Sequence, residues 1–171
     1  MAAGEVSGPD LGCRGRQLRE WGGNAAAGTV RDVAGPYASV ALVCGRCNNG
    51  GDAFVAARFL DDYDATVHLL GRPETITTDI ARENWEALEQ AGYETREVRD
   101  STALSLGDPD VVVDALLGTG IRGALREPTA SAAAAINAAD ATVVSVDVPS
   151  GLDAETGHLA DRAVGPDRVV T

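Results

Sequence analysis

Residues 38–62 read ASVALVCGRCNNGGDAFVAARFLDD, and this stretch decides the fold class. Ala38 to Cys44 is a short apolar, β-branched run, the mark of a strand buried on both faces. Asp52 to Asp62 carries Val55, Ala56, Phe59 and Leu60 at helical spacing. Between them lie Gly45 to Gly51, rich in glycine and asparagine. Strand, glycine-rich loop, then helix is the opening of a βαβ unit.

The alternation continues outward. Ala65 to Leu70 reads as a second strand, Glu74 to Ala91 as a helix and Tyr93 to Val98 as a weak edge strand. Asp110 to Leu117 and Ala141 to Val148 are strong buried strands. A helix runs between them from about Pro128 to Ala138, with Pro where a missing N–H costs least. Arg168 to Thr171 begins another strand, and Gln17 to Val33 looks helical despite its glycines. Strands separated by helices predict a three-layer α/β/α, Rossmann-like, doubly wound and mainly parallel sheet. No linker divides the chain, so residues 1–171 are read as one domain.

Composition narrows the function. The chain has 26 acidic residues and 14 basic ones, a net charge of −12, and every basic residue is arginine. Such acidity disfavours nucleic acid and anionic membrane surfaces as partners. Without lysine there is no Schiff-base chemistry and no P-loop lysine. No apolar run has the length of a membrane span, and the N-terminus lacks a signal-peptide pattern, so a cytoplasmic protein is expected. Three cysteines, Cys13, Cys44 and Cys47, are too few for a disulfide framework. The acidity itself is read as adaptation of the whole surface to a salt-rich cytoplasm.

In a parallel sheet all strand C-termini share one edge, where ligands bind. Three strands end there in unusual loops: Gly45 to Asp52, Gly118 to Gly123, and Asp147-Val148-Pro149-Ser150-Gly151. Glycine-rich loops and the N-terminus of the following helix suit a phosphate or pyrophosphate. Three carboxylates, Asp52, Asp114 and Asp147, lie on the same edge. A buried Asp must be hydrogen-bonded, paired or bound to a cation. For Asp52 a helix N-cap is an equal alternative. Cys44-Gly-Arg-Cys47 is a CxxC, and a thiol-redox role is the rival it raises. The helix is expected only after Asn-Asn-Gly-Gly, which argues against that rival.

VALVCGRCNNGGDAFVAARFL (40–60), VVDALLGTGIRGALREP (112–128) and INAADATVVSVDVPSGLDAETG (136–157) together resemble the NAD(P)H-hydrate epimerase family, the YjeF N-terminal domain. LREWGGNAAAG (18–28) is weakly similar to the family's N-terminal helix, with Glu20 at its Glu position. The resemblance implies an isomerase of nicotinamide nucleotide repair. It would interconvert the R and S forms of hydrated NADH and NADPH at C6 of the ring, for a dehydratase that repairs the S form. Asn48, Asn49, Gly50, Gly51 and Asp52 would contact the dinucleotide. So would Gly118, Thr119, Gly120, Ile121, Arg122, Gly123 and Ala124. Asp147 would face the reacting ring as the catalytic residue. Asn49, Asp114 and Ser150 would supply oxygen ligands to one potassium ion per subunit. The family is often dimeric, so a homodimer is expected. Its last strands are missing here, so the chain is read as truncated and as a fragment of a longer protein that also carries the dehydratase. The alternative is a non-catalytic nucleotide-binding or assembly module of the same fold. Arg46 and Cys47 stand where the family reads Pro-Gly, and Ala53 where it reads Gly; Arg46 is suited to pairing with a phosphate.

Overall fold

A computed structural model describes residues 10–120 and 123–171 of the chain. Six strands form one sheet: β1 (Ser39–Cys44), β2 (Asp64–Leu70), β3 (Glu94–Val98), β4 (Val111–Ala115), β5 (Thr142–Val146) and β6 (Arg168–Val170). All neighbours are parallel, in the order β3-β2-β1-β4-β5-β6. This is the doubly wound order, and its direction reverses between β1 and β4. At the opposite end of that junction, the Asp110 carboxylate accepts from both the backbone N–H and the hydroxyl of Ser39, 2.8 Å each. Those two bonds hold its carboxyl below the usual carboxylate range.

Helices α1 (Asp10–Val33), α2 (Asn48–Arg58) and α3 (Asp79–Ala91) pack on one face. Their small residues Ala26, Ala27, Ala53, Ala56 and Ala57 let helices and strands approach closely around Phe54, Trp85 and Leu88. Phe54 and Trp85 meet edge to face, with ring centroids 5.3 Å apart. The other face is covered by α4 (Thr129–Ala138) through Ala132, Ala133 and Ile136, and by Leu104, Leu106, Val164 and other loop residues. The three layers are therefore unequal: among the described residues, one helix stands opposite three. Trp85 is core, whereas Trp21 is exposed on α1. His68 lies buried on β2, where burial, and next the charge of Arg96, push its pKa down to about 4.

Several boundaries differ from the expected ones, each for a local reason. Helix α2 begins at Asn48, four residues before Asp52, with Cys47 as its N-cap residue. Asn-Asn-Gly-Gly is poor helix sequence, but a side chain at Gly50 would lie 2.0 Å from the Gly45 carbonyl oxygen. The glycine serves close packing of the helix start against the preceding loop. Asp52 is therefore not the N-cap. The segment expected as one helix from Glu74 is instead a short 3-10 turn (Pro73–Thr75) followed by α3. The break falls at Thr77, whose N–H and hydroxyl both donate to the Arg46 carbonyl, 2.8 and 3.0 Å. Thr78 then caps α3 by accepting from the Ala81 N–H. Strand β5 ends at Val146 rather than Val148, because Asp147 turns into the left-handed region with φ 70°. No helix among the described residues is long and apolar enough to cross a membrane.

Candidate functional site

A cavity of about 480 Å³ opens at the C-terminal edge of the sheet, over the junction of β1 and β4. Its walls come from all three loops picked out in the sequence. Arg46, Cys47, Asn48, Asn49 and Asp52 line one side; Gly118, Thr119, Gly120 and Asp147 line the other. Leu70, Thr77 and Thr78 close the end toward β2, and Pro128 and Thr129 add to the wall from the start of α4. The first-turn amides of α2 have no intrahelical acceptor and give this edge a partial positive charge.

The loops are tied to one another through side chains. Asp114 is buried under the cavity and accepts four hydrogen bonds. Leu116 N–H (3.3 Å) and the Ser150 hydroxyl (2.6 Å) reach Oδ1; the Ser145 hydroxyl (2.8 Å) and Ser150 N–H (2.9 Å) reach Oδ2. Burial pushes its pKa up, and these bonds oppose that. Ser150 Oγ also accepts from Leu117 N–H at 3.1 Å, and the Leu117 carbonyl accepts from Asn49 Nδ2 at 2.7 Å. The loop after β5 thus holds the loop after β4, which holds the start of α2. Asn49 Oδ1 is left buried with no partner.

Asp147 occupies the wall between these anchors. Its left-handed backbone is uncommon for a residue other than glycine, although Asp and Asn tolerate it best. Its N–H donates to the Val170 carbonyl at 2.7 Å, and its Oδ2 accepts from Thr119 N–H at 3.2 Å. A side chain at Gly118 would stand 3.1 Å from that same Oδ2. Bare backbone at Gly118 therefore leaves the carboxylate room at the cavity.

The sequence-derived residues separate into groups. Asn48, Asn49, Asp52, Gly118, Thr119, Gly120 and Asp147 come together on the wall. Asp114 and Ser150 lie directly behind it. Gly50 and Gly51 sit further back, against Gly45 and Ala81. Gly123 and Ala124 do not line the cavity. Ile121 and Arg122 lie outside the described residues. Ser145, Thr77, Thr78 and Thr129 are site residues that sequence reasoning passed over. Only Ser145 left a signal, as a lone hydroxyl in the apolar run TVVSV.

The CxxC reading needs a different argument from the sequence one, since the helix does begin directly after Cys47. Cys44 is buried, and burial, Asp114 and Cys47, in that order, push its thiol far above its ordinary range. A redox-active cysteine requires the opposite shift. Glu20, at the other end of the resemblance, forms an ion pair with Arg58 at 2.6 Å between α1 and α2.

Several known proteins are similar to this chain. The bifunctional NAD(P)H-hydrate repair enzyme Nnr of Methanothermobacter thermautotrophicus is 44% identical, covering 100% of this chain and 34% of that protein. Its counterpart from Methanopyrus kandleri is 50% identical, covering 86% of this chain and 32% of that protein. The chain thus spans about a third of the length of these relatives. The NAD(P)H-hydrate epimerase of Nitrosopumilus maritimus is 41% identical, covering 98% of this chain and 79% of that one. The crystal structure of yeast ynu0 superposes with a TM-score of 0.76 at 26% identity, over 96% of this chain and 73% of that one. The sequence profile described as YjeF-related protein N-terminus matches residues 15–171. By that match and these identities, the chain belongs to the family of the YjeF-related protein N-terminus.

Proposed function

We propose that the cavity binds hydrated NADH or NADPH and interconverts its R and S forms at C6 of the nicotinamide ring. The observation that carries this reading is Asp147, an Asp in left-handed backbone that puts a carboxylate on the cavity wall at the end of β5. The pyrophosphate sits at the α2 N-terminus, where amides and helix dipole favour an anion. The nicotinamide half extends toward Asp147.

Asp147, directly or through a water it holds, delivers a proton to the C6 hydroxyl, which leaves as water. The C6–O electron pair departs with the oxygen, and the ring-nitrogen lone pair stabilises the resulting cation. The nearby carboxylate adds electrostatic stabilisation. Water returns to the opposite face and gives up a proton to Asp147, so the cycle is neutral in protons. The S epimer then passes to a dehydratase.

Asn49, Asp114 and Ser150 would hold a potassium ion. Asn49 Oδ1 is a buried acceptor without a donor, and Ser150 Oγ keeps a second lone pair beside its bond from Leu117. Asp114 becomes available when one serine hydroxyl turns away from it. The donor set is all oxygen, as a hard monovalent cation requires. When bound, the ion supplies positive charge that offsets the cost of burying Asp114.

The test is Asp147→Asn assayed by conversion of R hydrate to S hydrate. Epimerisation is expected to be lost while binding persists; full activity in the variant refutes the assignment. For the ion, thermal stability is expected to rise with potassium chloride more than with equal sodium chloride. Equal responses refute the ion site.

A further inference from the structure

We infer that Arg46 and Arg72 select the 2′-phosphorylated dinucleotide, hydrated NADPH, over the NADH form; this rests on the cavity being the dinucleotide site. The polarity of the ligand follows from the placement of the groups. Asp147 and the β4–β5 loops mark the nicotinamide end, and the α2 N-terminus lies at the middle. The adenosine half is then left with the opposite end, lined by Leu70, Thr77 and Thr78. In doubly wound folds the end of the second strand is where the adenosine ribose is read. An acidic side chain there takes the 2′-hydroxyl, and an arginine takes a 2′-phosphate.

Here that position offers arginines. Strand β2 ends at Leu70, and Gly71-Arg72 follow. A side chain at Gly71 would lie 2.8 Å from Arg46 Cδ and 3.5 Å from its Cγ. The stem of Arg46, which lines the cavity, therefore lies across the bare backbone of Gly71, and Arg72 follows that glycine in sequence at the rim of the strand end. Position 71, with φ +132°, is glycine for this reason as well as for its backbone. The two bonds from Thr77 to the Arg46 carbonyl fix the base of this arm. Both arginines are exposed, and among the described residues neither forms an ion pair with a carboxylate. In a chain with 26 acidic residues, two exposed arginines that flank one glycine and pair with no carboxylate are suited to an anion. Glu74, two residues from Arg72, pairs with neither. A ribose without phosphate leaves both arginines without an anionic partner, which is the discrimination against NADH.

The experiment is calorimetric titration of the protein with NADP+ and NAD+, and with adenosine 2′,5′-bisphosphate and AMP, alongside epimerisation of both hydrates. The wild-type chain is expected to favour each 2′-phosphorylated ligand by about tenfold or more. Arg46→Ala and Arg72→Ala should each lose about tenfold of that preference, in KM rather than kcat, with a shallower salt dependence. Equal affinity of the wild-type chain for both members of each pair, or a double variant that keeps the preference, overturns the inference. If both hydrates are epimerised alike, the inference falls and the epimerase reading stands. If neither is bound or epimerised, both fall together.

Discussion

Ser150→Ala tests whether Asp114 is the knot that holds the three loops. The variant removes two bonds at once. The Ser150 hydroxyl loses its 2.6 Å bond to the buried carboxylate, and Leu117 N–H loses its 3.1 Å acceptor. A bond to a charged group contributes about 1.5–3 kcal/mol and a neutral one about 1, so the expected loss is about 2.5–4 kcal/mol. With a urea slope of about 2 kcal/mol per molar, the unfolding midpoint should fall by about 1.2–2 M. Ser145→Ala removes one bond of 2.8 Å to the same carboxylate and leaves Leu117 anchored. Its cost should be about 2 kcal/mol. The ranking matters more than either value. Equilibrium urea unfolding of both variants and their double variant gives the ranking and the coupling through Asp114. A Ser150→Ala loss below about 1 kcal/mol, or one smaller than that of Ser145→Ala, refutes the account.

Other expectations follow from the same structure. Gly50→Ala puts a methyl 2.0 Å from the Gly45 carbonyl oxygen and should cost at least about 3 kcal/mol, read by thermal unfolding; a neutral result refutes close packing as the reason for this glycine. The His68 pKa falls from 6.5 unfolded to about 4 folded, so the unfolded state binds the proton first. Stability should be complete above pH 6.5 and decline toward pH 4 by up to about 1.4 kcal/mol per unit, a slope that His68→Phe should remove in urea titrations across pH. Native iodoacetamide labelling should modify Cys47 and spare Cys44. Trypsin cuts at Arg46 and places them in separate peptides, so mass spectrometry decides.

Legibility of the sequence followed burial. β1, β4 and β5 are enclosed on both faces, so each is a mainly apolar run that needs no context. The strand order was not legible beyond its class, because apolar runs do not say which strands are neighbours. Helix α2 started early because contact with Gly45 overrides the weak propensity of Asn-Asn-Gly-Gly. The break before α3 came from a bond to Arg46, 31 residues upstream, which no local pattern records. Asp147 was visible as an Asp before Pro-Ser-Gly. Its left-handed backbone, and the bond from Ser145 to Asp114, emerged only from the sheet.

The junction of β1 and β4 has a kinetic consequence. Ser39 and Asp110, which clamp it, are 71 residues apart in sequence. Units such as β1-α2-β2 close over short loops, whereas this pairing must bring together the two halves of the chain, a slow step for parallel strands. The cavity lies on that seam, so neither half owns a binding site. Ligand added during refolding should leave the early phases unchanged and capture only molecules whose seam has closed, slowing its reopening. Under the proposed function, occupancy of the cavity would then work as a quality mark: a chain that holds its ligand has completed its most distant strand pairing.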